Sequence, residues 1–417
     1  MPRCSRPVSK RRGGCAWRAA LPLLWLAAAL LSAGCGQRGA PPPVDVFLAR
    51  HWAEPLPPQG PPPAGFSTLE ASLSPQACGQ CHAPQYEAWR TSLHSRTVGP
   101  GLLWQLALMD QAQANGCFRC HAPLAEQKAL LAIEHGWQGA PPLPPPGYVD
   151  PQLGHQGLVC AACHVREHRR FGPPARPGAD SGVAHGGFTA SPAFQDSRFC
   201  AHCHQFPPDG PSVEGKLFED TWNQWAASPM APGRSCQSCH MPDRQHLWRG
   251  IHDPDTTRSA LDLGVEVAAL GGGRYEARAR VRNVGAGHHF PTYMVPKIEL
   301  DFVRRDADGA MQALGRHVIG WTVDTQLTRE IADTRISAGA SRDFTVPFAA
   351  PRSGGWKVEL VVRVKPGEHY ERMYREYLAR AAELPPQAVS QLRRALAEVL
   401  AAEYELMRVA ATPPIAN

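Results

Sequence analysis

The sequence has no apolar run long enough to cross a bilayer as a helix, no basic surplus in its main part, and no cysteine beyond residue 35 outside one repeated motif. The first absence excludes a membrane-spanning helix. Residues 19–31 (AALPLLWLAAALL) are thirteen in number, short of the about 20 that a hydrocarbon core of roughly 30 Å requires. The second absence removes nucleic acid as a partner. Arg3, Arg6, Lys10, Arg11, Arg12 and Arg18 carry the whole net charge of +6, and the rest of the chain holds 37 basic against 37 acidic residues. Charged residues make up only 19% and hydrophobic ones 43%, which excludes a wholly disordered chain. The 42 Pro and 38 Gly promise many turns and few long helices.

A basic start, a short apolar run and the small residues Ser32-Ala33-Gly34 before Cys35 read as an export signal over residues 1–34. Its end resembles a bacterial lipobox, which implies acylation of Cys35 and a lipid anchor to a membrane. Residues 35–66 are proline-rich and read as an extended linker from which Trp52 and Leu56 dock onto the folded part.

What the chain does contain is five copies of Cys-x-x-Cys-His. They are Cys78/Cys81-His82, Cys117/Cys120-His121, Cys160/Cys163-His164, Cys200/Cys203-His204 and Cys236/Cys239-His240. Two thiols at this spacing add across the two vinyl groups of one haem, and the adjacent His reaches the iron axially. Structural zinc calls for an even number of knuckles and no following His. Disulfides within such pairs would close poor, small loops. The cofactor expected is therefore haem c, five per chain. Successive motifs start 39, 43, 40 and 36 residues apart, too close for each segment to bury a haem alone, so the haems share walls and supply part of the core.

Each iron needs a sixth ligand or keeps an open face, and thirteen of the 18 His lie outside the motif His positions. His94 follows the first motif on a helical stretch, residues 84–94. His155 and His168 flank the third motif, and His185 lies in a glycine-rich loop. After the fifth motif His252 is preferred, with His246 close behind. His288, in Gly287-His288-His289-Phe290-Pro291, sits in a turn between strands. Short helices are expected over 101–114, 124–134 and 216–227. Six segments of alternating character between residues 261 and 364, parted by Gly271-Gly272-Gly273 and similar turn signals, predict an antiparallel sandwich. From residue 386 to 407 a helical stripe is expected to pack onto the haem part.

The segments CGQCHAPQYEAWRTSLHS, GLVCAACH and CQSCHMP, within residues 75–245, resemble the multihaem cytochrome c superfamily typified by the cytochrome c-552/c-554 domain. The segment NVGAGHHFPT and the strands after it look like the C-terminal β-domain of exported multihaem cytochromes. The resemblance implies paired His ligation, closely stacked haems and electron transfer, with the five motif His as proximal ligands and His94 as a distal one. An ammonia-forming nitrite reductase also has five haems, but it usually marks its catalytic haem with a CxxCK motif, which this chain lacks.

The fold class expected is a haem-cored, mainly α or irregular multihaem domain followed by an antiparallel β-sandwich and C-terminal helices. Its divisions are a signal peptide (1–34), a linker (35–66), a pentahaem domain (67–254), a sandwich (255–368) and helices (369–417). The function expected is an exported, periplasmic or membrane-anchored relay between redox proteins or membrane electron donors, more an electron-transfer protein than an enzyme. The alternative is an oxidoreductase with one open-faced haem acting on a small nitrogen or sulfur species.

Overall fold

Proline and capping residues cut the first half of the chain into short helices. In the computed structural model, which describes residues 43–138, 146–177, 184–350 and 355–414, Pro75 and Pro100 begin the helices Pro75–Gly79 and Pro100–Leu106. Asp110 caps Gln111–His121 through a reciprocal pair with Gln113, and Gly136, at φ 63°, ends Ala125–His135. The expected helix over 101–114 is therefore two helices broken at Asp110, and that over 216–227 is reduced to Thr221–Ala226. The signal segment and Cys35 lie outside the described residues.

Four of the five motifs close a helix with their own His: Gln111–His121, Cys160–His164, Arg198–His204 and Cys236–His240. The first is split, with Cys78 in Pro75–Gly79 and His82 at the N-terminus of Ala83–Arg90. Two apolar clusters hold these pieces. One gathers Leu56, Leu73, Trp89, Leu124, Leu153 and Val159, the other Val98, Leu102, Leu106, Phe118 and Leu131. Among the described residues no helix is long and apolar enough to cross a membrane.

The extended linker expected over 35–66 is corrected in its middle by a helix, Val44–His51. Burial outweighs the proline-rich composition there. Phe47 and His51 are buried, the His51 ring nitrogen Nε2 lies 2.8 Å from the Cys163 carbonyl, and the His51 carbonyl accepts from Arg166 at 2.6 Å. Trp52 stacks on His202 at 4.7 Å, and Leu56 is buried.

The second half is a seven-stranded antiparallel sandwich. Its strands are β1 (Leu261–Gly271), β2 (Arg274–Asn283), β3 (Lys297–Asp306), β4 (Met311–Ile319), β5 (Ser341–Ala349), β6 (Trp356–Lys365) and β7 (Tyr404–Ala411). One sheet runs β5-β2-β1 and the other β7-β6-β3-β4. Alternate residues Ala277, Ala279 and Val281, Ile298, Leu300 and Phe302, and Val358, Leu360, Val362 and Val364 are fully buried between them.

The C-terminal segment 369–417, expected as helices alone, is corrected by β7. After Glu368–Ala379 and Pro386–Ala401 the chain returns to pair with β6. Those two helices reach the haem-motif half, where Trp104 packs with Tyr374, Ala388, Leu392 and Ala395. A second tie is ionic: Lys216 Nζ lies 2.6 Å from Glu330 and 2.9 Å from Asp333.

Candidate functional site

The fold gathers the five motifs. All ten cysteines are free thiols, Cys81 and Cys239 exposed and the others partly buried. Thiols of different motifs lie close to one another: Cys78 to Cys160, Cys120 to Cys203, and Cys200 to Cys236. The first motif thus lies against the third, and the fourth against both the second and the fifth. A cavity of about 540 Å³ opens beside Arg119 of the second motif and Gln205 after the fourth, lined also by Phe206, Leu217 and Asn223.

The histidines show a more specific order. A metal–imidazole bond is about 2 Å and the ring centre lies roughly 1 Å behind the nitrogen, so two imidazoles on opposite sides of one metal hold their centres about 6 Å apart. Three motif imidazoles have such a neighbour. His164 and His246 are 6.0 Å apart, His204 and His94 6.3 Å, and His240 and His288 6.3 Å with only 9° between planes.

Hydrogen bonding sorts the rings further. The Nδ1 of His121, His164 and His240 lies 2.8, 2.8 and 2.7 Å from the carbonyls of Thr97, Phe171 and Arg249. Among the distal rings, Nδ1 of His246 reaches the Arg244 carbonyl at 2.9 Å and that of His288 the His289 carbonyl at 2.8 Å. A carbonyl only accepts, so each Nδ1 carries the proton and each Nε2 keeps a lone pair for a metal. Burial keeps six of the rings neutral, as ligation demands. It pushes His94 down to about 3 and His164 and His288 down to about 4, and lowers His121, His204 and His246. Paired free thiols beside neutral rings with free Nε2 atoms fit covalent haem.

The loops that carry His94, His246 and His288 are held by backbone contacts. The amide of Leu158 donates to the His94 carbonyl at 2.8 Å, and Gly157, at φ 67°, lets the two segments touch, since a Cβ there would lie 2.5 Å from that oxygen. Asn283, fully buried, donates to the carbonyls of His288 and Ile336 at 2.8 and 3.1 Å and accepts from Ala286 at 3.0 Å. The turn after the fifth motif folds back through positive φ at Asp243, Arg244 and Trp248.

The other expected ligands fall elsewhere. After the fifth motif the structure brings His246, rather than His252, opposite a motif ring, and His252 is exposed. His155 places Nε2 2.5 Å from Glu134. His168 is buried with Nε2 3.0 Å from the Gly60 carbonyl and 3.2 Å from the Tyr148 hydroxyl, a role in holding residues 59–60. His185 keeps Nε2 clear by turning Nδ1 to the Gly187 carbonyl at 3.0 Å, and its amide donates to Glu70 at 2.9 Å. Among the described residues no second imidazole stands at the 6 Å spacing from His82 or His121.

The motifs, their gathering and the paired rings make the chain similar to the multihaem c-type cytochromes. Residues 77–139 match the family model described as cytochrome c554 and c-prime. The fold is similar to that of a penta-heme cytochrome c552 from Thermochromatium tepidum, with 17% identity and a TM-score of 0.56, over 83% of this chain and 99% of that one. A CARDB domain of the PF1109 protein from Pyrococcus furiosus overlays 24% of this chain and 69% of its own, at 14% identity and a TM-score of 0.16. No curated protein matches this chain.

Proposed function

We propose that the chain is an exported pentahaem c-type cytochrome that relays electrons between redox partners through closely packed haems. The observation that carries the reading is the three ring pairs, each joining one motif His to a His outside the motifs. In this reading His164 and His246 share one iron, His204 and His94 a second, and His240 and His288 a third. Haem c supplies a one-electron couple. The chain would attach it through the paired cysteines and offer it imidazoles whose Nε2 atoms are left free. The contact of the motifs in the order one, three and two, four, five supports haems close enough to share walls.

The expectations on location belong to the same proposal. The basic start, the apolar run and Cys35 support export and a lipid anchor, which would hold the cytochrome beside membrane electron donors and periplasmic redox proteins. The divisions 67–254 and 255–368 are proposed as the haem domain and a β-domain that lends it one ligand, His288.

The test is a pyridine haemochrome count joined to low-temperature EPR of the oxidised full chain. Five haems per chain with low-spin signals from at least three support the relay. A dominant high-spin spectrum that shifts with nitrite, hydroxylamine or cyanide would overturn it in favour of a substrate-converting enzyme with open haem faces.

A further inference from the structure

Metal-bound imidazoles are ordinarily oriented by a hydrogen bond from the far ring nitrogen. Of the three distal rings, His246 and His288 have one, to the carbonyls of Arg244 and His289. His94 does not: its Nδ1 is buried with no hydrogen-bond partner. What it has instead is Trp248. The indole stands 4.5 Å from the His94 ring with 67° between planes, and 5.1 Å from the His246 ring with 86° between planes. Both contacts are edge-to-face, the arrangement that the aromatic quadrupole favours.

The backbone at Trp248 shows that this placement is held against a cost. Its φ is 43°, in the left-handed region that a bulky residue rarely adopts. Such a conformation persists only where the surroundings over-determine it. Here the indole packs against the cluster of Leu73, Trp89, Leu153 and Val159, and the turn before it already carries Asp243 and Arg244 at φ 53° and 62°.

We infer that Trp248 is a positioning residue that fixes the imidazole planes of His94 and His246 together. It thereby ties the haems of the fourth and third motifs to one side chain. The inference rests on the ligand pairing proposed above. If the indole sets both planes, its loss reorients two axial ligands at once and leaves the His240 and His288 pair as it is.

The experiment uses the full-length haem-loaded chain with Trp248→Leu and Trp248→Phe, and, in parallel, His94→Ala and His246→Ala. Haems are counted by pyridine haemochrome, the low-spin signals are read by EPR, and midpoint potentials are followed by spectroelectrochemistry. Trp248→Leu is expected to keep the wild-type haem count while moving the g values and potentials of two low-spin haems. Trp248→Phe, which retains an aromatic edge, is expected to return both signals most of the way to wild type. Unchanged signals in Trp248→Leu, while His94→Ala and His246→Ala each turn one low-spin haem high-spin, would overturn the positioning role and leave the pairing intact. If neither His variant creates a high-spin haem, the pairing fails and the inference with it. If Trp248→Leu does not assemble, Trp248→Met takes its place: displaced signals from two low-spin haems support the role, and a wild-type spectrum overturns it.

Discussion

The imidazoles of His240 and His288 face each other in parallel, 6.3 Å between centres and 9° between planes, although one closes the fifth motif and the other belongs to a turn of the sandwich. The β-domain therefore reaches the fifth motif. Under the proposed pairing, a haem held at Cys236 and Cys239 would take one imidazole from each half of the molecule.

That pairing makes ligand loss countable. His94→Ala, His246→Ala and His288→Ala are each expected to convert one haem of the five from low-spin to high-spin, read by EPR of the oxidised protein. His252→Ala is expected to convert none, which separates the two histidines that the sequence places side by side.

Gly157→Ala should destabilise the fold and loosen His94. The new Cβ would lie 2.5 Å from the His94 carbonyl oxygen and 2.8 Å from the Ser95 carbonyl carbon, at a φ of 67°. Backbone atoms give little, and the left-handed conformation adds its own cost, so a loss of about 1–3 kcal/mol is expected in denaturant unfolding.

Asn283→Ala removes both donations that hold the His288 turn, leaving the Ile336 carbonyl with the Phe290 amide alone and the His288 carbonyl without this donor. A loss of about 1–3 kcal/mol is expected. The low-spin signal of the His240 haem should broaden, whereas the signals that depend on His94 and His246 should not.

The ionic tie between the halves predicts an acid limit. Burial would raise the Asp333 carboxyl, but hydrogen bonds from Arg335 and Lys216 overcome it and hold the group well below the usual carboxylate range. A carboxyl depressed in the fold contributes stability above its unfolded value of about 3.9. That contribution fades as pH falls below about 4. Melting temperature followed from pH 7 to pH 3 should fall more steeply for the wild type than for Asp333→Asn.

Much of this was legible in the sequence. The five motifs need only their spacing, and His94 stands out because a short helix and a turn bring it back after the first motif. Five of the six expected strand segments coincide closely with β1, β2, β3, β5 and β6, because one buried face imposes a period of two. That His246 rather than His252 stands opposite His164 was not legible, since it depends on departures into positive φ at Asp243, Arg244 and Trp248, none of them glycine. Nor was Val44–His51, whose helix owes its place to the buried contacts of Phe47 and His51 rather than to composition. β7 was hidden by the helical stripe before it, and its pairing is a long-range one with β6.

The return of β7 to the sandwich has a bearing on assembly. Synthesis and folding proceed from the N-terminus, so the cysteines of all five motifs emerge well before Tyr404–Ala411 can zip against β6 and complete the larger sheet. His288 is carried by a domain that is unfinished until then. Under the proposed pairing, the place between His240 and His288 would accordingly be the last to be completed, because the turn that carries His288 is set only when the closing strand finishes the sheet.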